Sequence, residues 1–289
     1  MRTRAFGARG GRRVHLMAFA ERALRVIACA TILTLTVALA PRASTAQAAV
    51  SVVVLNRHSF IFPAGSRVDS AAAMRVLGAI SAATKVRGLP ANVIANSSVV
   101  VSLGTDIHPD VDAVSYEDRL LIVLPLRRWA AWSNEKLIRV VRHEVGHLGF
   151  GVFIGSASIP TWLREGFAEW SAGELTCEYE TLIRLDLLGR SNRETAHLIS
   201  GSAPRGSAQL QAAYFATFVE FLDRGRAVSD GRFLDTVRRR GLSFALEHIF
   251  GSSLSSLEAD WWRSHLDKFR EGLPQLGNCQ RRDETASGH

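Results

Sequence analysis

Val141-Arg142-His143-Glu144-Val145-Gly146-His147-Leu148 decides how the rest of this 289-residue chain is read. Four residues apart on a helix, His143 and His147 are displaced by only about 40° around the axis and about 6 Å along it. Both imidazoles can then reach one metal ion, and Glu144 stands between them where a carboxylate can hold a water. Leu137, Val140, Val141, Val145 and Leu148 form the stripe that turns this helix onto a core. Ser133-Asn134-Glu135 supplies a cap and an early acidic residue at its start. Gly149 and Gly151 are read as its end.

Thr161-Trp162-Leu163-Arg164-Glu165-Gly166-Phe167-Ala168-Glu169-Trp170 is the second informative stretch. Glu165 follows His147 by eighteen positions, across a Gly-rich loop and onto a new helix. Such a return brings a carboxylate beside the two histidines, which is the His₂Glu set of a hydrolytic zinc site with an open fourth position. Glu169, four residues further on, shares a helix face with Glu165 and can accept the second ring N–H of His143, fixing its tautomer. The competing reading of the two glutamates is a solvated helix face. Against it, Gly166 costs a helix interior about 1 kcal/mol relative to Ala, a cost that favours close packing over a free surface.

Upstream, residues 51–55 form a β-branched strand with 58–62 as its partner, and 98–103 form a Val-rich strand. Residues 70–86 carry apolar positions at helical spacing. The polar loop with Asp106, Asp110 and Asp112 lacks the glycine-centred pattern of a calcium loop and reads as a solvated turn. Residues 113–116 and 119–126 form a hairpin around Glu117-Asp118, whose second arm is nearly all apolar, as in a strand covered on both faces. Downstream the pattern is helical: 161–173, 178–188, a stripe from Leu210 to Leu222, and 233–250 broken at Gly241. A last helix opens on the capping box Ser255-Ser256-Leu257-Glu258, with Leu257, Trp261, His265 and Phe269 as its stripe. The expected architecture is α+β, a small mixed sheet with the motif helix followed by a mainly helical C-terminal half. Its parts are an α/β subdomain over 49–150, a helical subdomain over 151–271 and a disordered tail over 272–289.

Residues 1–48 read as a secretory signal peptide. A basic stretch precedes an apolar run over 26–40, and Ala46-Gln47-Ala48 offers the cleavage site. The run is shorter than the ~18–20 apolar residues of a membrane span, so an uncleaved anchor is the secondary reading. Met17 is a second candidate start. The leader carries eight of the 35 Lys and Arg and one of the 27 Asp and Glu, leaving 27 and 26 in the remainder. The high overall charge thus belongs to the leader, and no nucleic-acid partner is expected. Export also permits a Cys177–Cys279 disulfide, although Cys279 can equally stay free.

Together His143-Glu144-x-x-His147 and Trp162-Leu163-x-Glu165-Gly166-Phe167-Ala168-Glu169 resemble the gluzincin metallopeptidases. The similarity is strongest to the small exported peptidase MA-like domains and more distant to the thermolysin and aminopeptidase N families. It covers roughly residues 98–270. The resemblance implies a zincin-like fold, one zinc ion on His143, His147 and Glu165, and Glu144 as general base. It also implies an edge strand at 120–126 onto which a peptide or protein substrate adds as a further strand. The chain lacks a Gly-x-Met-x-Asn exopeptidase signature, which favours an endopeptidase over an aminopeptidase. The family's transition-state donor has no counterpart by spacing. Tyr214 is a candidate, but its place on an apolar stripe favours a buried tyrosine with a hydrogen-bonded hydroxyl. His197, His248 and His265 are weaker still, and His265 reads as a core histidine.

The expected function is that of an exported zinc-dependent peptidase in which Glu144 takes a proton from water and passes it to the leaving amine. A zinc-stabilised binding or scaffold domain without turnover explains the ligands equally but gives Glu144 no role. A hydrolase of a non-peptide cell-wall amide is the third reading.

Overall fold

A computed structural model describes residues 35–36 and 50–270, except 56, 64–69, 84, 105–110, 126–127, 174–176, 189–198 and 200–206. The segment read as a signal peptide, apart from Leu35 and Thr36, the 105–110 loop, His197, Cys279 and the tail 272–289 lie outside the described residues.

The described chain is a mixed α/β fold with more helix than strand. Its strands are β1 (Leu35–Thr36), β2 (Val50–Leu55), β3 (His58–Pro63), β4 (Val100–Gly104), β5 (Val114–Tyr116) and β6 (Leu121–Pro125), in the sheet order β1-β2-β3-β4-β6-β5. β3, β4 and β6 run parallel, whereas β2 and β5 pair antiparallel with β3 and β6. The register aligns Phe60 with Val101 and Val101 with Ile122, a row across the sheet in which every side chain is buried. This row packs with α1 (Ser70–Ala83) and α3 (Asn134–Ile154), through Val76, Ile80, Leu137, Val141, Val145 and Leu148. The short α2 (Asn92–Ala95) lies between α1 and β4 in the chain.

A second core lies among the later helices: α4 (Thr161–Ala172), α5 (Cys177–Leu188), α6 (Ala208–Leu222), α7 (Arg232–Arg240), α8 (Leu242–Phe250) and α9 (Leu254–Arg270). Phe150 and Ile154, from the last turns of α3, belong to this second core. The helix carrying the two histidines is thus the element shared by both cores, which holds its register from two sides.

Three expectations need correction. The strand near 120–126 is interior: β6 bonds to β4 along one side and, through Leu121–Val123, to β5 along the other. The edge is the three-residue β5, with Tyr116 at 44% exposed. A run as apolar as β6 is buried on both faces, and that environment belongs to the middle of a sheet. The motif helix does not end at Gly149 and Gly151 but continues to Ile154, closed by Gly155 at φ 69°. Both glycines serve close approach instead. A Cβ at 149 would lie 2.9 Å from Leu89, and one at 151 would overlap the Glu117 side chain. Finally, α9 starts one residue before Ser255, and Ser253 Oγ accepts from the Ser256 N–H at 3.3 Å. Glu258 turns away from that terminus and accepts the Ile199 N–H at 2.7 Å.

Candidate metal centre

Local structure places the ligands first. Ser133 Oγ accepts the Lys136 N–H and starts α3, so His143 and His147 fall about 2.5 and 3.6 turns into a long, well-anchored helix. α4 then crosses α3 where a Cβ on Gly146 would stand 3.1 Å from Ala168 Cα and 2.8 Å from Ser171 Oγ. From its other side α4 is pressed by α6: a Cβ on Gly166 would lie 2.5 Å from the Phe215 carbonyl oxygen. Only glycine allows these approaches, and together they bring Glu165 over the histidine pair.

The three side chains converge. His143 Nε2 and His147 Nε2 are 3.0 Å apart, and Glu165 Oε2 is 3.3 Å from His147 Nε2 and 3.9 Å from His143 Nε2. Zinc bonds of about 2.0–2.1 Å at tetrahedral angles would separate neighbouring donors by about 3.3 Å. The observed triangle brackets that value, and two imidazoles with one carboxylate form a donor set that suits zinc. Among the described residues this is the only group of three histidine, cysteine or acidic side chains so arranged. Side-chain exposure rises from 9% at His147 to 19% at His143 and 39% at Glu165, so the cluster opens to solvent on the Glu165 side.

A second layer holds the first. Glu169 Oε1 lies 3.3 Å from His143 Nδ1, the ring nitrogen opposite the one in the triangle. A proton on Nδ1 directed at this carboxylate leaves the Nε2 lone pair for a metal. The other oxygen, Oε2, accepts the Tyr179 hydroxyl from α5 at 3.2 Å, a partner that the sequence did not identify.

Electrostatics follow from this crowding. Burial disfavours the imidazolium of His143, but the bond to Glu169 and the charges of Glu169, Glu144 and Glu165 outweigh it, raising its pKa to about 9 in the metal-free protein. Burial likewise disfavours the Glu165 carboxylate, yet the bond to His147 and the charges of both histidines hold it below the usual carboxylate range. Glu144 is 6% exposed, on the same helix as both histidines and near enough to His143 to act on its titration.

The remaining candidates fall elsewhere. Tyr214 is fully buried on α6, donates to the Asp186 carboxylate and stands edge-on to Trp261, which is the core tyrosine its stripe predicts. His265 is buried against Trp261, and His248 stacks on Phe244 at the surface. A recess of about 330 Å³ between α6 and α9 is lined by Thr217, Phe221 and Arg224, whereas α4 meets α6 at Phe215 and Val219. None of its lining residues belongs to the triangle. No protein-family model matches the chain, and no curated protein matches it.

Proposed function

We propose that the chain is an exported, zinc-dependent peptidase of zincin-like fold, with zinc held by His143, His147 and Glu165. The observation that carries this reading is the triangle of donor atoms at 3.0, 3.3 and 3.9 Å with the buried Glu144 on the same helix. A zinc ion there would supply Lewis acidity, polarising a substrate carbonyl and acidifying a water. Glu144 takes the proton of the attacking water and delivers it to the leaving nitrogen. Glu169 keeps the His143 ring in one tautomer and one orientation throughout. Burial of Glu144 keeps competing water away from its carboxylate.

The sheet supports the same reading. β5 is the antiparallel edge, and it and the Glu117–Arg119 turn pack against α3. An extended peptide adding to the free side of β5 would run beside the ligand helix, using main-chain hydrogen bonds for affinity. Glu117 is also 3.7 Å from Arg164, the neighbour of Glu165, so this turn is tied to the ligand-bearing α4. Loss of residues 1–48 on export would remove β1 and leave β2 as the opposite edge.

The test is a pair of measurements on one variant. Glu144→Gln should retain about one zinc per chain by elemental analysis and lose peptide-library cleavage by at least about 10²-fold, the lower end of a general base's contribution. Undiminished cleavage would remove Glu144 from the mechanism. Zinc uptake without cleavage of any peptide by the unmodified protein would favour a binding domain instead.

A further inference from the structure

We propose that Tyr179 is a positioning residue of the metal centre, acting through Glu169 on His143. This inference rests on the zinc reading of the His143, His147 and Glu165 cluster. It adds a third layer to that site, contributed by α5, an element that supplies none of the three donor atoms.

The argument begins with the Glu169 carboxylate. It is 9% exposed, and a buried carboxylate is costly unless both oxygens are satisfied. Oε1 faces His143 Nδ1 at 3.3 Å, and Oε2 receives the Tyr179 hydroxyl at 3.2 Å. One oxygen alone leaves the carboxylate free to swing about its terminal torsion, which is broad and two-fold. A second, differently directed bond fixes that plane, and with it the direction from which Oε1 meets the imidazole. The hydroxyl also draws charge away from Oε1, which tempers how strongly Glu169 pulls on the Nδ1 proton and so how basic Nε2 becomes.

Tyr179 is well suited to hold this place. Its residue is 9% exposed and its ring belongs to the second hydrophobic core, so packing anchors the ring while the hydroxyl alone reaches the site. Glu169 and Tyr179 are ten residues apart on different helices, so the bond also ties α5 to the ligand-bearing α4. The hydroxyl bonds to Oε2, not to the oxygen that faces His143, and Tyr179 supplies none of the three donor atoms, hence positioning rather than catalysis.

The experiment measures zinc affinity by chelator competition in four proteins: unmodified, Tyr179→Phe, Glu169→Gln and the double variant. Phe keeps the packing ring and deletes only the hydroxyl. Outer partners of zinc ligands are worth about 10–100-fold in affinity, and one bond further out the expected loss for Tyr179→Phe is about three- to tenfold. Because Tyr179 acts through Glu169, adding Tyr179→Phe to Glu169→Gln should cost nothing further. Cobalt substituted for zinc should show altered visible bands in Tyr179→Phe, which a loss of packing remote from the metal would not produce. Equal affinity for Tyr179→Phe and the unmodified protein, or losses that add in the double variant, would overturn the inference while leaving the zinc site standing. Failure of the unmodified protein to take up zinc would overturn both. Should Tyr179→Phe not fold, 3-fluorotyrosine at position 179, which keeps the ring and acidifies the hydroxyl, is expected to shift the cobalt bands. Unchanged bands then overturn the inference.

Discussion

At the scale of single residues, the proposed metal centre is a contest between protons and a metal ion for the same lone pairs. With its pKa near 9, His143 in the metal-free protein carries an extra proton at neutral pH, with its Nε2 3.0 Å from that of His147. Zinc binding must displace that proton. Calorimetry in buffers of different ionisation enthalpy should therefore report about one proton released per zinc at pH 7.5 in addition to any lost by a zinc-bound water, and this extra proton should disappear above the His143 pKa. Release near zero at pH 7.5 would contradict the raised value. The stability of the metal-free fold carries the same signature with a definite sign. A folded-state pKa above the reference of 6.5 stabilises below pH 6.5, and the contribution disappears as pH rises through about 9. Melting temperatures of the metal-free protein should fall across that window, and by less in Glu169→Gln. The convergence of His143, His147 and Glu165 was legible in the sequence, because two histidines four apart share a helix face and a short loop returns the next helix beside them. Tyr179 was not, because nothing local to residue 179 tells where its hydroxyl points.

At the scale of elements, glycines decide whether α3, α4 and α6 can meet closely enough to build the site. Gly166→Ala would drive a methyl to 2.5 Å from the Phe215 carbonyl oxygen, which is backbone and cannot turn aside. We expect a loss of about 1–3 kcal/mol in denaturant melts, together with weaker zinc binding as α4 and Glu165 are displaced. Gly78 is the counterexample: it lies exposed within α1, and a methyl there would meet nothing within 4 Å. Gly78→Ala should stabilise by about 0.5–1 kcal/mol and leave zinc binding unchanged. A Gly166→Ala protein as stable as its parent would mean that α4 and α6 are not locked at this crossing. From the sequence, Gly149 and Gly151 looked like helix stops, because a helix-ending glycine and a glycine in close packing carry the same letter. The capping serine at 133, by contrast, announced the start of α3 correctly, since capping is a local hydrogen bond.

At the scale of the whole molecule, the donor triangle lies where the two cores meet along α3, with two side chains from α3 and one from α4. A bound ion would tie α4 and the helical half to the sheet-backed helix, so metal and global stability are linked. Saturating zinc at about 1,000 times its Kd corresponds to about 4 kcal/mol of added stability. A chelator should thus lower the melting temperature of the unmodified protein by several degrees and leave His147→Ala unaffected. Equal melting with and without chelator would exclude this coupling. The sheet order belongs to this scale too. It places β5 outermost and β6 inside, the reverse of the expectation drawn from resemblance.

What the sequence determined by itself is what recurs within a few residues. That includes two histidines on one helical face, a carboxylate pair four apart on the next helix, the hairpin around Glu117-Asp118, and the strand-then-helix division of the chain. These depend on backbone periods of two and 3.6, which are written in adjacent side chains. Only the tertiary structure decided which strand is the edge, which glycines are contacts, that Tyr214 turns to Asp186 and that Tyr179 turns to Glu169. Those outcomes depend on which distant segments meet once the cores close, and a short-range pattern carries no record of its partner across a loop.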